Sequence, residues 1–463
     1  MRSGWVLYAV LAVVAASHWH GLYADGAFIV VSLLSNESMM LQHPARLVSQ
    51  FLQQAPTLLA LHAGLDALPA MATIYGLTLH ALPWIFSLTA TFIVPVDRAG
   101  YRLFPWLGFF AGTLSAAFAL VAEGPMTTGL FWVVLVMILF RARSRAGRIG
   151  LLVAAAPLMW MHEVLVFLAP MLALAAVLRA ADESSTASRL LFRALAVWFL
   201  AVAVYQLSYV VAPVSEANRG SFINSLLGFR WLISGSGVNF PLLLGMGMTA
   251  IAGANSAAVL VAKGQPWHRS SLATTLAMSG LTMAAVIAPL AGISAIEPRL
   301  QFDARNHPAF LSFALALLML MLWRTKTDAA RIITWARPVL LTMFLAGSLG
   351  WHAIAQHEWS HAISAWRDIL QRSRGLVPWT DALATATPRQ RELLWTYSWG
   401  WTNPAMSLLL APRGQVQAVV KNWADPAETF FFDAVASTTV PTSRWWDLSA
   451  FSAAARASLP RDE

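Results

Sequence analysis

Long apolar runs recur along this chain of 463 residues, and short basic clusters separate them. Hydrophobic residues make up 58% of the sequence and charged residues only 11%, whereas a typical soluble domain has about 25% charged residues. A chain with so few charges cannot cover a water-facing surface, so we predict a polytopic membrane protein. Taking about 20 apolar residues for each crossing of a bilayer, we count about eleven candidate spans. They lie near residues 4–23, 71–94, 105–122, 126–140, 149–160, 163–178, 194–212, 241–262, 271–293, 309–323 and 338–356.

The distribution of basic residues predicts how the chain is oriented. A net charge of +9 could suggest a nucleic-acid partner, but the basic residues lie in short loops between apolar runs, as the positive-inside rule describes. The predicted inner loops hold roughly three times as many basic residues as the outer ones. The arginines in the predicted outer loops are Arg46, Arg219, Arg230, Arg299 and Arg305. We therefore expect a bacterial inner-membrane protein with a cytoplasmic N-terminus, a periplasmic C-terminus and no nucleic-acid partner.

The fold class that this pattern predicts is an all-α transmembrane bundle over residues 1–356, followed by a small exoplasmic α/β or irregular domain over residues 357–463. The first outer loop, residues 24–70, is long, and its amphipathic stretch over residues 47–59 should lie in the bilayer plane. The fifth and sixth spans are short. Basic residues precede the fifth span and follow the sixth, so both of these ends should be cytoplasmic. We therefore expect the two short spans to meet on the other side, near Met161-His162-Glu163.

The C-terminal domain should open with an amphipathic helix over residues 359–374, which Gly375 ends. A strand is predicted over residues 415–420. Trp359 and Trp366 could anchor that helix at the membrane surface.

A single carboxylate, Asp25, follows the first apolar run directly. The layout of an inside N-terminus, an acidic residue after the first span, in-plane helices in the first outer loop, many spans and an outer C-terminal domain resembles the GT-C glycosyltransferases. These membrane enzymes move a sugar from a polyprenyl-phosphate carrier to an acceptor on the outer face. The family usually has paired acidic residues after the first span, and here Asp25 is followed by Gly26.

The resemblance implies a role for several residues. Asp25 would be the general base that takes the proton of the acceptor hydroxyl. The leaving lipid phosphate would need a cation, for which the resemblance offers Arg299 and Arg305, with Arg219 next and Asp303 in the same loop. The partners implied are membrane lipid, a polyprenyl-phosphate-linked sugar and a glycan or lipid acceptor, and a divalent cation such as Mg²⁺ or Mn²⁺ would fit this chemistry.

Three further ionisable residues lie next to predicted spans on the outer side. Glu123 lies at the end of the third span, and His162 and Glu163 lie where the two short helices meet. Ionisable groups in membrane segments are costly and usually face the protein interior or a polar cavity. We expect these three to shape the acceptor or metal pocket, although Glu163 could instead fix helix packing through a hydrogen bond.

Two other functions remain open from the sequence. His357-Glu358-Trp359-Ser360-His361 matches the zincin pattern, in which two histidines one helical turn apart bind zinc and the glutamate is the base. That pattern would make the protein a zinc metalloprotease, with Glu392 as a remote third ligand. A transporter or flippase for a lipid or a sugar is the other alternative, although the inverted repeats typical of transporters are not evident.

Overall fold

The computed structural model of the chain describes residues 2–23, 25–41, 43–65, 67–113, 123–211, 307–324, 329–373, 375–398, 402–411 and 417–420, and these are mostly helical. The α-helices are α1 (Arg2–Ser17), α2 (Asp25–Asn36), α3 (Leu47–His62), α4 (Leu68–Ile93), α5 (Leu103–Leu107), α6 (Glu123–Val136), α7 (Arg145–Ala155), α8 (Leu165–Asp182), α9 (Thr186–Val211), α10 (His307–Arg324), α11 (Ala329–Arg372), α12 (Trp379–Ala384), α13 (Pro388–Tyr397) and α14 (Asn403–Leu410). Short 3-10 turns lie at His20–Leu22, Pro44–Arg46, Val96–Arg102 and Ala156–Trp160, and π-helical turns at Gly108–Thr113 and Met137–Arg141. Strands β1 (Gly375–Pro378) and β2 (Gln417–Val420) pair in parallel.

Within these described ranges, four helices are long and apolar enough to cross a membrane. They are α4, α6 with its π-helical extension to Arg141, α8 and α9. Each coincides with a predicted span, so the helical, membrane-type character expected from the sequence is present in this part of the chain. The predicted spans at 241–262 and 271–293 lie outside the described residues.

The chain folds differently from the prediction after its first apolar run. α1 ends at Ser17 and has 16 residues, fewer than the about 20 that cross a bilayer. Trp19 then takes a left-handed backbone conformation, with φ 58°, and turns the chain. Asp25, expected to open an outer loop, is instead the first residue of α2, a 12-residue apolar helix that is mostly buried. The sequence prediction missed α2 because its apolar run is too short to count as a span.

Helix α3 is amphipathic, as predicted, but its polar side faces the protein. Gln53 and Gln54 are 2% and 0% exposed, whereas Phe51 and Leu59 on the other side are 49% and 68% exposed. The Gln54 amide accepts a hydrogen bond from Met40 N at 2.7 Å and donates one to Met40 O at 2.8 Å. An exposed apolar side and a buried polar side are the arrangement expected of a helix lying against lipid.

The chain divides into two compact units. The first unit contains Met1–Ala9, His43–Ser49 and Ala81–His352, and the second contains Val10–Gln42, Gln50–His80 and Ala353–Glu463. In the first unit, α8 and α9 pack along each other as a helical hairpin. Gly108 lies so close to the Trp132 indole that a Cβ there would be 2.2 Å from Nε1, so this helix contact needs a glycine.

The residues of α11 from Ala353 onward belong to the second unit, and they correct one prediction about the C-terminal part. The expected span and the expected separate amphipathic helix form one helix that ends at Arg372, because neither glycine nor proline interrupts residues 352–372. Trp359 and Trp366, predicted as possible membrane-surface anchors, are 0% and 1% exposed inside the protein. Trp359 Nε1 donates to His18 O at 3.0 Å, so its polar atom is satisfied within the unit.

The other two expectations for this region agree with the structure. Gly375 has a left-handed φ of 66° just beyond the helix end and starts β1. The predicted strand is β2.

Candidate functional site

Five ionisable side chains meet in the first unit, and we call them the Arg46 cluster. They are His43, Arg46, Glu123, His162 and Glu163. Three of them, Glu123, His162 and Glu163, are residues that the sequence analysis predicted for the site. They come from segments far apart in the chain, since Arg46 and Glu163 are separated by 117 residues.

Neutral hydrogen bonds fix the loop that carries Arg46. His43 is extended, as expected before a proline, and the 3-10 turn Pro44–Arg46 follows it. The Ser49 hydroxyl donates to Met161 O at 2.6 Å. Gln206 Nε2 donates to Ala45 O at 3.1 Å and to Met159 O at 2.8 Å. The loop is therefore attached to the segment just before Glu163 without help from the charges.

Arg46 and Glu163 form the central ion pair. Arg46 Nε donates to both carboxylate oxygens of Glu163, at 2.8 and 3.0 Å. Arg46 Nη1 also lies 3.9 Å from Glu123 Oε2. The side chains of Glu163 and Glu123 are each 11% exposed, and that of Arg46 is 29% exposed. One guanidinium thus serves two largely buried carboxylates.

The pKa of Glu163 is set by opposing effects. Burial alone would raise it, but the Arg46 guanidinium and, to a lesser extent, His162 more than offset burial and hold the pKa of Glu163 well below its usual range. Glu163 therefore stays ionised near neutral pH. It can orient a cation, but it is poorly suited to accept a proton.

Two histidines flank the ion pair. His43 Nε2 lies 3.5 Å from Glu163 Oε1. Burial and the neighbouring Arg46 lower the pKa of His43, and Glu163 and Glu123 only partly counter them. His162 Nδ1 accepts a hydrogen bond from Val164 N at 3.2 Å, so a neutral His162 carries its proton on Nε2. The lowered pKa favours a neutral His43 ring near pH 7.

The positions of the two carboxylates suit the helices they adjoin. Glu123 lies in the first turn of α6 and Glu163 lies two residues before α8. A carboxylate is favoured near a helix N-terminus, where the helix dipole is positive. Because Arg46 lies against both carboxylates, they do not form a binding site for the Mg²⁺ or Mn²⁺ that the resemblance would allow.

Asp25, the predicted base, belongs to the second unit. It is exposed and occupies the first turn of α2, where the helix dipole again favours a carboxylate. The neighbouring Gly26 packs so tightly that a Cβ there would lie 1.7 Å from Gly21 O. Position 26 therefore has no room for a side chain, so a second acidic residue could not follow Asp25 without a shift of the backbone.

The zincin pattern, residues 357–361, also lies within the described residues. His357 and His361 lie on one side of α11, with their Nε2 atoms 3.2 Å apart. Glu358, the expected base, is ion-paired with Arg389, and Arg389 also pairs with Glu392 at 2.7 Å. The hydrogen bond to Glu392 and the charges of both carboxylates raise the pKa of Arg389. Both acidic residues of the zinc alternative are therefore engaged by one guanidinium. In the part of the chain that the structure describes, no three histidine, aspartate or glutamate side chains are arranged to hold a metal ion.

The four remaining predicted site residues, Arg219, Arg299, Asp303 and Arg305, lie outside the described residues. The sequence analysis missed Arg46 and His43 as site residues. Arg46 was recognised only as one of the outer arginines, and nothing in the sequence identifies which carboxylate it meets. The proline at position 44 was the local signal that this stretch forms a fixed turn.

Comparison of the chain with protein-family models, with curated proteins and with solved structures gives no match.

Proposed function

We propose that the chain is an integral membrane glycosyltransferase that moves a sugar from a polyprenyl-phosphate donor to a glycan or lipid acceptor. The observation that carries the proposal is the Arg46 cluster, in which a guanidinium and two carboxylates lie where two apolar helices begin. Burying charges next to membrane helices is costly, and such groups usually mark a substrate or ion pathway.

The reaction needs two kinds of group. The acceptor oxygen attacks the anomeric carbon of the sugar, the bond from that carbon to the phosphate oxygen breaks, and the lipid phosphate leaves with the electron pair. A base must take the acceptor proton, and a cation must offset the charge that develops on the leaving phosphate.

We assign Arg46, together with the arginines at positions 219, 299 and 305, as a cation that stabilises the leaving phosphate. A guanidinium presents five N–H donors in a planar fork that matches a phosphate, and Nε of Arg46 donates to both carboxylate oxygens of Glu163. The role of Glu163 is then to orient the guanidinium. The base is the one that the GT-C resemblance implies, Asp25, which belongs to the second unit and is not assigned to the Arg46 cluster.

The proposal includes a finer topology. We infer about eleven spans, a cytoplasmic N-terminus and an exoplasmic domain from residue 357, in a bacterial inner membrane. Support comes from the helix ends. α6 and α8 begin at the Arg46 cluster. The π-helical extension of α6 ends at Arg141, and the last turn of α8 carries Arg179. The positive-inside rule assigns the arginine-bearing ends to the cytoplasm, so the Arg46 cluster would face outward.

Sugar transfer is tested on the full chain reconstituted in liposomes. Radiolabelled polyprenyl-phosphate sugars are supplied with glycan or lipid acceptors, and label in the acceptor is measured. We expect transfer by the wild type and a loss of at least about 100-fold in Asp25→Asn, a typical effect of removing a general base. Full activity in a folded Asp25→Asn variant would contradict the assigned base. Absence of transfer with every donor, together with substrate counterflow that survives Asp25→Asn, would favour a transporter. Bound zinc that is lost in His361→Ala would favour the protease.

A further inference from the structure

An open groove of about 520 Å³ lies on the first unit, far along the helices from the Arg46 cluster. It is bounded by the end of α4, the π-helical end of α6 and the first turn of α7. We call it the Arg141 groove. Its lining residues are Leu88, Thr89, Phe92, Ile93, Met137, Arg141, Ser144 and Gly147.

Most of the groove wall is apolar and lies on the surface of the protein. Leu88, Phe92 and Ile93 come from α4, one of the helices long enough to cross a membrane. Phe92 is 60% exposed, although it is a large apolar side chain. On a membrane helix such a side chain faces lipid tails, so this wall suits a hydrocarbon chain.

The mouth of the groove is basic. Arg141 is held in place because its Nε donates to Ile93 O, at the end of α4, at 2.7 Å. Ser144 lies beside it and caps α7 by accepting a hydrogen bond from Gly147 N at 3.0 Å. Arg143 and Arg145 on either side of Ser144 are exposed.

No carboxylate from the same stretch of chain balances these arginines. Between Glu123 and Glu163 the sequence contains four arginines, at positions 141, 143, 145 and 148, and no aspartate or glutamate. The nearby carboxylates of α8 and its C-terminus, Asp182 and Glu183, pair with Arg324 and Arg179, respectively. A surface rich in arginines attracts a phosphate-bearing headgroup.

We propose that the Arg141 groove binds an anionic phospholipid of the surrounding bilayer, with its phosphate at Arg141 and Ser144 and one acyl chain along Leu88, Phe92 and Met137. An apolar wall continuous with a basic mouth matches an amphiphile with a negative head, and basic pockets between membrane helices recognise such lipids. The occupant is a bilayer lipid in this proposal and not the sugar donor, so the assignment stands apart from the proposed reaction.

The test uses the full chain purified in detergent. Short-chain phosphatidylglycerol, short-chain phosphatidylcholine and inorganic phosphate are titrated separately, and binding is followed by native mass spectrometry. We expect phosphatidylglycerol to bind at least about fivefold more tightly than phosphatidylcholine, because one basic side chain near a membrane surface contributes an effect of that order.

Two variants and one matched control identify the site. Arg141→Gln should weaken phosphatidylglycerol binding by about fivefold. Thr89→Trp, at an exposed position of the wall, should fill the groove and weaken both lipids. Arg102→Gln is the control, because Arg102 also donates to a carbonyl at the end of α4, Val94 O at 3.0 Å, but does not line the groove.

Three results would overturn the proposal. One is equal affinity for the two lipids. Another is an equal loss of affinity in Arg141→Gln and Arg102→Gln, which would indicate general electrostatic attraction to the arginines. The third is phosphate alone binding as tightly as phosphatidylglycerol, with no effect of Thr89→Trp. Folding of each variant is checked by circular dichroism and by its elution volume in gel filtration.

Discussion

At one end of α6 and α8, Arg46 donates through Nε to both oxygens of the largely buried Glu163. At the other end of the same helices, Arg141 is exposed and donates to a backbone carbonyl, Ile93 O. We call this second region the arginine end, and it includes Arg102 and Arg141, which both donate to carbonyls at the end of α4. An arginine side chain thus neutralises buried carboxylates in one region and donates hydrogen bonds to the carbonyls of a helix end in the other.

The two regions differ in how strongly their charges depend on one another. At the arginine end, an arginine that loses its partner can still be hydrated, and the terminal helix carbonyls can bond to water. In the Arg46 cluster, removing either partner leaves a charge in a poorly hydrated place, which costs far more than the net contribution of the pair. The comparison predicts unequal responses to similar substitutions at the two ends.

The largest effect should come from breaking the central ion pair. Arg46→Met leaves Glu163 buried without its cation, and we expect a loss of about 3 kcal/mol in unfolding free energy, at the low end for buried pairs because Arg46 is partly exposed. This loss is measured by denaturing the protein in detergent micelles while unfolding is monitored by circular dichroism. The double variant Arg46→Met/Glu163→Leu should recover most of the loss. A loss below about 0.5 kcal/mol in Arg46→Met would place this pair with ordinary surface salt bridges.

A glycine at the arginine end should be the next most sensitive position. A Cβ at Gly147 would lie 2.0 Å from Arg141 O, so Gly147→Ala should destabilise the fold by about 2 kcal/mol. The matched control is Gly124→Ala beside the Arg46 cluster, where a Cβ would lie 3.8 Å from the nearest atom of His162. The same denaturation assay should detect little change in this control. Equal losses in the two variants would show that the tight contact at Gly147 is not what limits its substitution.

The pH dependence of stability should come from the Arg46 cluster. Because the folded-state pKa of Glu163 is depressed, its contribution to stability is present above the unfolded pKa of about 4.3 and is lost as the pH falls toward the folded pKa. We expect a loss of about 1.5 kcal/mol between about pH 4.5 and about pH 3. In Arg46→Met the curve should be flatter, since the depression of the pKa disappears. Parallel curves for the wild type and Arg46→Met would contradict this cause.

The smallest effect is expected at Arg141. Arg141→Gln removes one hydrogen bond from an exposed side chain to Ile93 O, so the loss should be about 0.5–1 kcal/mol. The measurement is again denaturation in micelles. A loss as large as that of Arg46→Met would erase the contrast between the two ends.

Apolar patterning predicted the helices that matter for the site. The runs that became α4, α6, α8 and α9 were visible because each is long and apolar. The break at residues 161–164 was also predictable, because basic clusters flank both short helices. Glu123, His162 and Glu163 followed as site candidates from the cost of placing ionisable groups beside such helices.

The remaining features depended on tertiary contacts that periodicity cannot reveal. The pairing of Arg46 with Glu163 spans 117 residues, and several outer arginines were equally plausible partners. The burial of the polar side of α3 could not be predicted either, because an amphipathic pattern does not say which side meets the protein. The absence of glycine and proline over residues 352–372 predicts a continuous helix there, whereas the fall in hydropathy after residue 356 suggests a boundary.

The most direct test of the functional role of the Arg46 cluster is the rate of sugar transfer in the Arg46→Lys variant, measured in liposomes beside Arg102→Gln. Lysine keeps the charge and therefore the neutralisation of Glu163, but it cannot reproduce the planar fork of a guanidinium. We predict a loss of about 100-fold in Arg46→Lys, the size expected from misplacing a group at a reacting centre, and wild-type transfer in Arg102→Gln. Wild-type transfer in a folded Arg46→Lys variant would contradict the assignment and leave the cluster with a structural role alone.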